Sequence, residues 1–434
     1  MNILKELDEL TKAQVISPES AENIRNYYRS KQEHSGNRLF IVFGILGAIL
    51  VGLGLILIIA HNWDDLSKNT KVCVAYLPLV LAQLLCIYAL VKKSDSSAWR
   101  EASSAFLFCA VGACISLVSQ VYNIQGELSS FLFTWLMLCL PIIYLMRSSV
   151  ASLLYIVGIS YYCCELNYFT HFFTSYKPVH YHYWWMLLLA LPHYYQLVKS
   201  RPDSNYTVFH NWLLPLSLVV CLGSVARHHD ELMYIAYMSL FGLFYLIGTS
   251  GAFARMKRNV SGYLVLGSLG TTQILLTLSF RDFWTRLTND PARFCEWYSS
   301  PEAMAVYVLT ASALGLLIFQ NRKGIRDFHP MKVLFLLFPL IFALGLVSPY
   351  GAVAVVNLLV LATGIMVIRH GVVKDHLGIL NYGLLTITAL IVCRFFDSDI
   401  SFVIRGLLFV LVGAGFFAAN YLMLKKRKQT EHRP

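Results

Sequence analysis

From Leu39 onward the chain alternates long apolar runs with short polar connections. The first run, residues 39–60, carries no charge and stops abruptly at His61-Asn62-Trp63-Asp64-Asp65. About 20 helical residues cover the roughly 30 Å hydrocarbon core of a bilayer. A tryptophan among polar residues suits the point where such a helix leaves the membrane. The same grammar repeats at approximately 72–91, 103–121, 130–146, 150–166, 183–198, 212–226, 232–249, 261–280, 303–319, 331–347, 351–368, 378–393 and 400–424. The pattern predicts an all-α, polytopic helical membrane protein with about 14 transmembrane helices and both termini on one side. Its parts are a two-helix segment over residues 1–38, a transmembrane domain over 39–424 and a basic tail over 425–434.

In the first part, Ile3, Leu4, Leu7 and Leu10 share one helical face. Ser17-Pro18-Glu19 then reads as a helix start, with Ser17 as N-cap and Pro18 at the first helical position. Ala21, Ile24, Tyr27 and Tyr28 follow as a second stripe. A short cytoplasmic hairpin is expected, packed on the membrane domain or on a second copy, or serving as a sensor. A cleavable signal peptide is not expected, because the first apolar run lies behind this polar arm.

Composition fits the same class. Of the 434 residues 57% are hydrophobic and 14% charged, against about 25% charged in a soluble domain, and mean hydropathy is +0.58. The net charge of +11 would suit a nucleic-acid partner if it were gathered on one binding face. It is instead distributed by topology. With alternating spans, 26 of the 35 Lys and Arg fall on the side of the termini and 8 on the other, and Arg405 lies inside the last run. The 24 acidic residues divide evenly, leaving +14 on one side and −4 on the other. By the positive-inside rule the basic side is cytoplasmic. The expected location is therefore the cytoplasmic (inner) membrane of a bacterium, with membrane lipids as partners and no nucleic acid.

Small residues recur every fourth position at Gly44, Ala48 and Gly52, and again at Gly415 and Ala419. Such stripes let helix backbones approach closely and are compatible with a homo-oligomer. Pro78, Pro141, Pro192, Pro215 and Pro339 fall within runs and predict kinks. Most of the ten cysteines lie inside apolar runs, with only Cys295 in a long outer connection, and no C-x-x-C occurs. They read as small apolar residues.

Several local motifs resemble a known family. These are Val15-Ile16-Ser17 with Ala21, Ile24 and Tyr27-Tyr28; the glycine-rich first run ending Ala60-His61-Asn62-Trp63-Asp64; Gln120-Val121-Tyr122-Asn123; and Arg394-Phe395-Phe396-Asp397. On these the chain resembles the bacterial predicted-membrane-protein family known as domain of unknown function 2157, best over the first 150 or so residues. The resemblance implies a bacterial polytopic membrane protein and brings no mechanism with it.

Candidate chemistry gathers at the outward ends of the runs. The exit motif His61, Asn62, Trp63, Asp64 and Asp65 is one such end, and Gln120, Tyr122 and Asn123 are another. Glu165 follows Cys163-Cys164 within an apolar layer, where burial would suit it to carry a proton. Arg394 and Arg405 with Asp397 and Asp399 form either an ion-pair network or an anion site. Arginine suits phosphate or carboxylate because its planar fork donates paired hydrogen bonds; one turn inside a span it can also snorkel to the interface. His61, Asp64 and Asp65 with His228, His229, Asp230 and Glu231 have metal-ligand types without a recognised metal spacing, so no metal and no cofactor is expected. No phosphate loop or nucleophile elbow occurs. Three functions stay open: a transporter or flippase for a small or lipid-linked anionic solute, a non-catalytic envelope or sensory protein, and a membrane-embedded enzyme acting on a lipid-linked substrate.

Overall fold

A computed structural model of the full chain describes residues 17–25, 65–169, 181–251 (except 228), 261–288, 297–322 and 330–395. Isolated positions between 11 and 15, at 63 and 253, and between 401 and 421 are also described. The chain divides into two compact units, Met1–Leu77 and Pro78–Pro434.

In the first unit, residues 18–25 are helical and the Ser17 hydroxyl accepts from the Ser20 amide at 3.2 Å, as an N-cap does. Ser67 caps the next helix in the same way, accepting from the Thr70 amide at 3.3 Å. The ammonium of Lys71 sits 5.8 Å from the centre of the Trp63 ring. The first apolar run, with its Gly44-Ala48-Gly52 stripe, lies outside the described residues.

The helices are α1 (Lys68–Lys92, which crosses the unit boundary), α2 (Ser97–Tyr122), α3 (Leu128–Leu145), α4 (Ser149–Cys164), α5 (His182–Ser200), α6 (Asn205–Leu222) and α7 (Leu232–Gly248). They continue with α8 (Gly262–Thr277), α9 (Arg281–Thr288), α10 (Pro301–Asn321), α11 (Leu334–Val347), α12 (Pro349–Val373) and α13 (Leu377–Phe395). No strand occurs among the described residues. Every expected span from 72–91 to 378–393 coincides with one of these helices; the last run is described only at scattered positions. By length and apolar character eight of them can cross a membrane, nine if α8 and α9 count as one broken span.

Two apolar cores hold the second unit together. One joins α3, α4 and α5 with parts of α2 and α6. The other is built around α7 and takes in α8 to α13. Of the 17 residues of α7, 13 are buried. A helix that is apolar all round belongs in an interior, and α7 is the post against which its neighbours pack.

Close backbone approach occurs at glycines outside the stripes noted in the sequence. A Cβ on Gly267 of α8 would lie 2.7 Å from the Tyr245 amide of α7, and one on Gly383 of α13 would lie 2.8 Å from the Ile368 amide of α12. Among the described residues, a Cβ on Gly415, from the expected stripe, would meet nothing within 4 Å.

All five prolines expected to kink a span do lie inside helices. A further break between apolar segments has no proline. Between α8 and α9 the chain turns by 69° at Leu278-Ser279-Phe280. Residues 281–288, expected as loop, form α9 because Phe283, Trp284 and Leu287 share a face and cover the core.

Candidate functional site

Breaking an apolar helix frees carbonyls that lipid cannot satisfy, so the protein must supply donors. The indole of Trp284, fully buried, donates to the Leu278 carbonyl at 2.7 Å. The Asn357 amide of α12 donates to the Ser279 carbonyl at 3.1 Å and to Val353 at 2.7 Å. The Ser279 hydroxyl donates to Leu276 at 2.6 Å and accepts from the Arg394 guanidinium at 3.2 Å. That guanidinium also lies 4.6 Å from the centre of the Phe280 ring, and Arg281 lies 4.2 Å from that of Tyr350. Cation–π contact of this kind favours a desolvated guanidinium. The Asn357 side-chain oxygen is buried without a hydrogen-bond partner. Arg394, singled out in the sequence, is thus drawn to the break in the span.

The other expected site residues are dispersed. Gln120, Tyr122 and Asn123 are exposed. Asn123 closes α2 in the left-handed conformation, at φ 47°, and its amide donates to the Gln120 carbonyl at 3.3 Å. Asparagine tolerates that conformation better than most residues, so this motif ends a helix. Glu165 opens a π-helical turn, Glu165–Phe169, that extends α4. Asp65 is exposed. His61, Asn62, Asp64, Asp397, Asp399 and Arg405 lie outside the described residues.

His229 is tied by its backbone to Glu302, a fully buried carboxylate at the start of α10, which accepts from the Arg227 amide at 2.5 Å and the His229 amide at 3.2 Å. Among the described residues no group of three or more His, Cys, Asp or Glu could hold a metal.

A second polar centre was not anticipated from the sequence. Glu101, near the start of α2, is 8% exposed. Its carboxylate accepts from the Ser148 hydroxyl at 2.5 Å and from the Ser149 and Val150 amides at 3.0 and 2.8 Å. It therefore places a negative charge at the N-terminus of α4, where the unpaired amides and the helix dipole favour one. One turn along α4, the Ser152 hydroxyl and His210 Nε2 of α6 are 3.0 Å apart. His210 Nδ1 lies 2.8 Å from the Tyr206 carbonyl; a carbonyl only accepts, so Nδ1 carries the proton and Nε2 accepts from Ser152.

Beside this network, Arg100, Glu101, Arg147, His193 and Arg201 line a cavity of about 210 Å³. An adjoining cavity of about 450 Å³ is lined by Asp95 and the same three arginines. A third, of about 230 Å³, lies between α8, α12 and α13, with Ser268 and Tyr382 in its wall. Part of the signal for the second centre was present in the sequence: His193 interrupts the apolar run 183–198, and an ionisable residue within a span is a functional candidate by default.

Eight helices among the described residues, long and apolar enough to cross a membrane and packed around two apolar cores, define the class: this is a multi-pass helical membrane protein. Residues 8–152 match the model of a family described as "Predicted membrane protein (DUF2157)", which shows over about a third of the chain the resemblance carried by its motifs. The match includes Arg100, Glu101 and Arg147 to Ser149; His193, Arg201 and Arg394 lie beyond it. No curated protein and no solved structure matches the chain.

Proposed function

We propose that this chain carries an anionic solute, small or lipid-linked, across the membrane, with the broken span α8–α9 and Arg394 as the polar centre of the path. The observation that carries this reading is the Arg394–Ser279 contact at the break. Discontinuous helices in transporters expose backbone dipoles and polar side chains to cargo near the membrane interior, and a guanidinium held there selects anions. Following the charge distribution, we infer that both termini are cytoplasmic, that the membrane is the bacterial inner membrane, and that Arg394 lies toward the extracytoplasmic side.

The alternative is a non-catalytic envelope or sensory protein. It is favoured by one observation: none of the three cavities described above is lined by Arg394 or Glu165.

Replacement of Arg394 separates the two readings. Under the transport reading, Arg394→Ala abolishes complementation of a deletion strain while the protein still inserts and runs as a single species on size exclusion, and Arg394→Lys retains part of the function. Full complementation by the alanine variant would exclude Arg394 from the path.

A further inference from the structure

The arginine-lined cavity belongs to different helix ends from the break at Ser279. It is framed by the start of α2, the turn between α3 and α4, the end of α5 and the turn between α5 and α6. In the topology set by charge, these ends face the cytoplasm.

Three features make it more than a basic patch. First, the charges do not cancel. Arg100, Arg147 and Arg201 bring three positive charges against the single carboxylate of Glu101, which is already engaged by three donors from the start of α4. The lining is left at about +2 with histidine neutral. Secondly, two nitrogens of the lining residues are buried with no hydrogen-bond partner, Arg100 Nε and His193 Nε2, and His193 as a whole is 8% exposed. Leaving buried polar nitrogens unmet is unfavourable, and a tetrahedral oxyanion in the cavity would offer oxygens to both. Thirdly, Arg147 holds its place with φ at 47°, in the left-handed region that glycine or asparagine enters at lower cost.

We propose that this cavity is a binding site for a phosphate dianion, presented as a phosphate monoester on a solute or as the headgroup of an anionic lipid. Three arginines outnumber Glu101 and the Asp95 carboxylate of the adjoining cavity, so the excess charge favours an anion, and the paired arginine forks favour the several oxygens of a phosphate. Arginine forks grip phosphate oxygens in pairs, and neutral His193, in the tautomer that carries its proton on Nε2, adds a donor from the buried wall. Basic pockets between helices on the cytoplasmic side are suited to anionic headgroups. Glu101 is a positioning residue: by fixing the start of α4 it fixes the turn that carries Arg147. This proposal does not depend on the transport reading.

The test uses the purified full chain in detergent and in lipid nanodiscs. In one arm, inorganic phosphate is titrated against chloride at matched ionic strength while the melting temperature is followed. In the other, phosphatidylcholine nanodiscs are compared with nanodiscs that also contain phosphatidic acid. A ligand that binds only the folded state raises the melting temperature saturably. The expected result is a saturable rise in at least one arm, with apparent affinity weakened about tenfold or more in Arg147→Gly and in Arg201→Gln, each of which removes a charge-assisted contact.

Neither substitution threatens the fold, because Arg147 has a glycine-like φ and Arg201 is exposed. A response to phosphate identifies the free anion or a soluble monoester as sufficient; a response confined to phosphatidic acid identifies the lipid headgroup. No saturable rise in either arm of the wild-type protein overturns the proposal. So does undiminished affinity in both variants.

Discussion

Glu101 is a carboxylate almost withdrawn from solvent, and it persists because three donors from one helix start converge on it. Hydrogen bonds to a charged acceptor are worth more than neutral ones, and removing one partner strands the others. Glu101→Gln preserves the shape but removes the charge and turns an N–H₂ toward donors. The expected cost is about 2 kcal/mol, read as a lower melting temperature or denaturation midpoint of the purified protein. Unchanged stability would mean that this tie has no weight. At this scale the sequence marks a charge at the end of an apolar run, as at Arg394, and is silent where the partner is remote. Nothing near Glu101 in the chain announces Ser148, 47 positions on. At Asn123 a conspicuous polar motif at a span exit has a structural part to play, closing a helix.

At the scale of elements, hydropathy finds the apolar runs because lipid and core demand the same side chains. It does not find the break between α8 and α9. That break is stabilised by residues distant in sequence, Asn357 and Arg394, together with Trp284, which lies beyond the expected span. Glycine stripes pose the same difficulty, since a stripe names a face but not its neighbour. Gly267 meets α7 backbone, whereas Gly415 meets nothing within 4 Å among the described residues. Gly267→Ala forces a Cβ into the Tyr245 amide and is expected to cost about 1–3 kcal/mol, the usual penalty of overpacking. Gly415→Ala is expected to be neutral or slightly stabilising, as helix propensity dictates at an open position. Thermal unfolding of the two variants side by side checks both; equal effects would contradict the packing assigned to α7 and α8.

For the molecule as a whole, the apolar runs and the helices agree. Twelve expected spans coincide with helices among the described residues, eight of them long and apolar enough to cross a membrane. The class of protein was therefore legible from pattern alone, because a bilayer imposes length and polarity on every segment that crosses it. Which polar groups meet was not legible, since that depends on packing between helices far apart in the chain. The central claim is that these groups serve an anionic cargo. Untargeted metabolite and lipid profiling of a deletion strain, with the wild-type gene restored as control, tests it without assuming what the cargo is. The account predicts that one or a few anionic compounds change in level or in distribution across the membrane, and that the wild-type gene reverses the change. A profile with no altered anionic compound would contradict it.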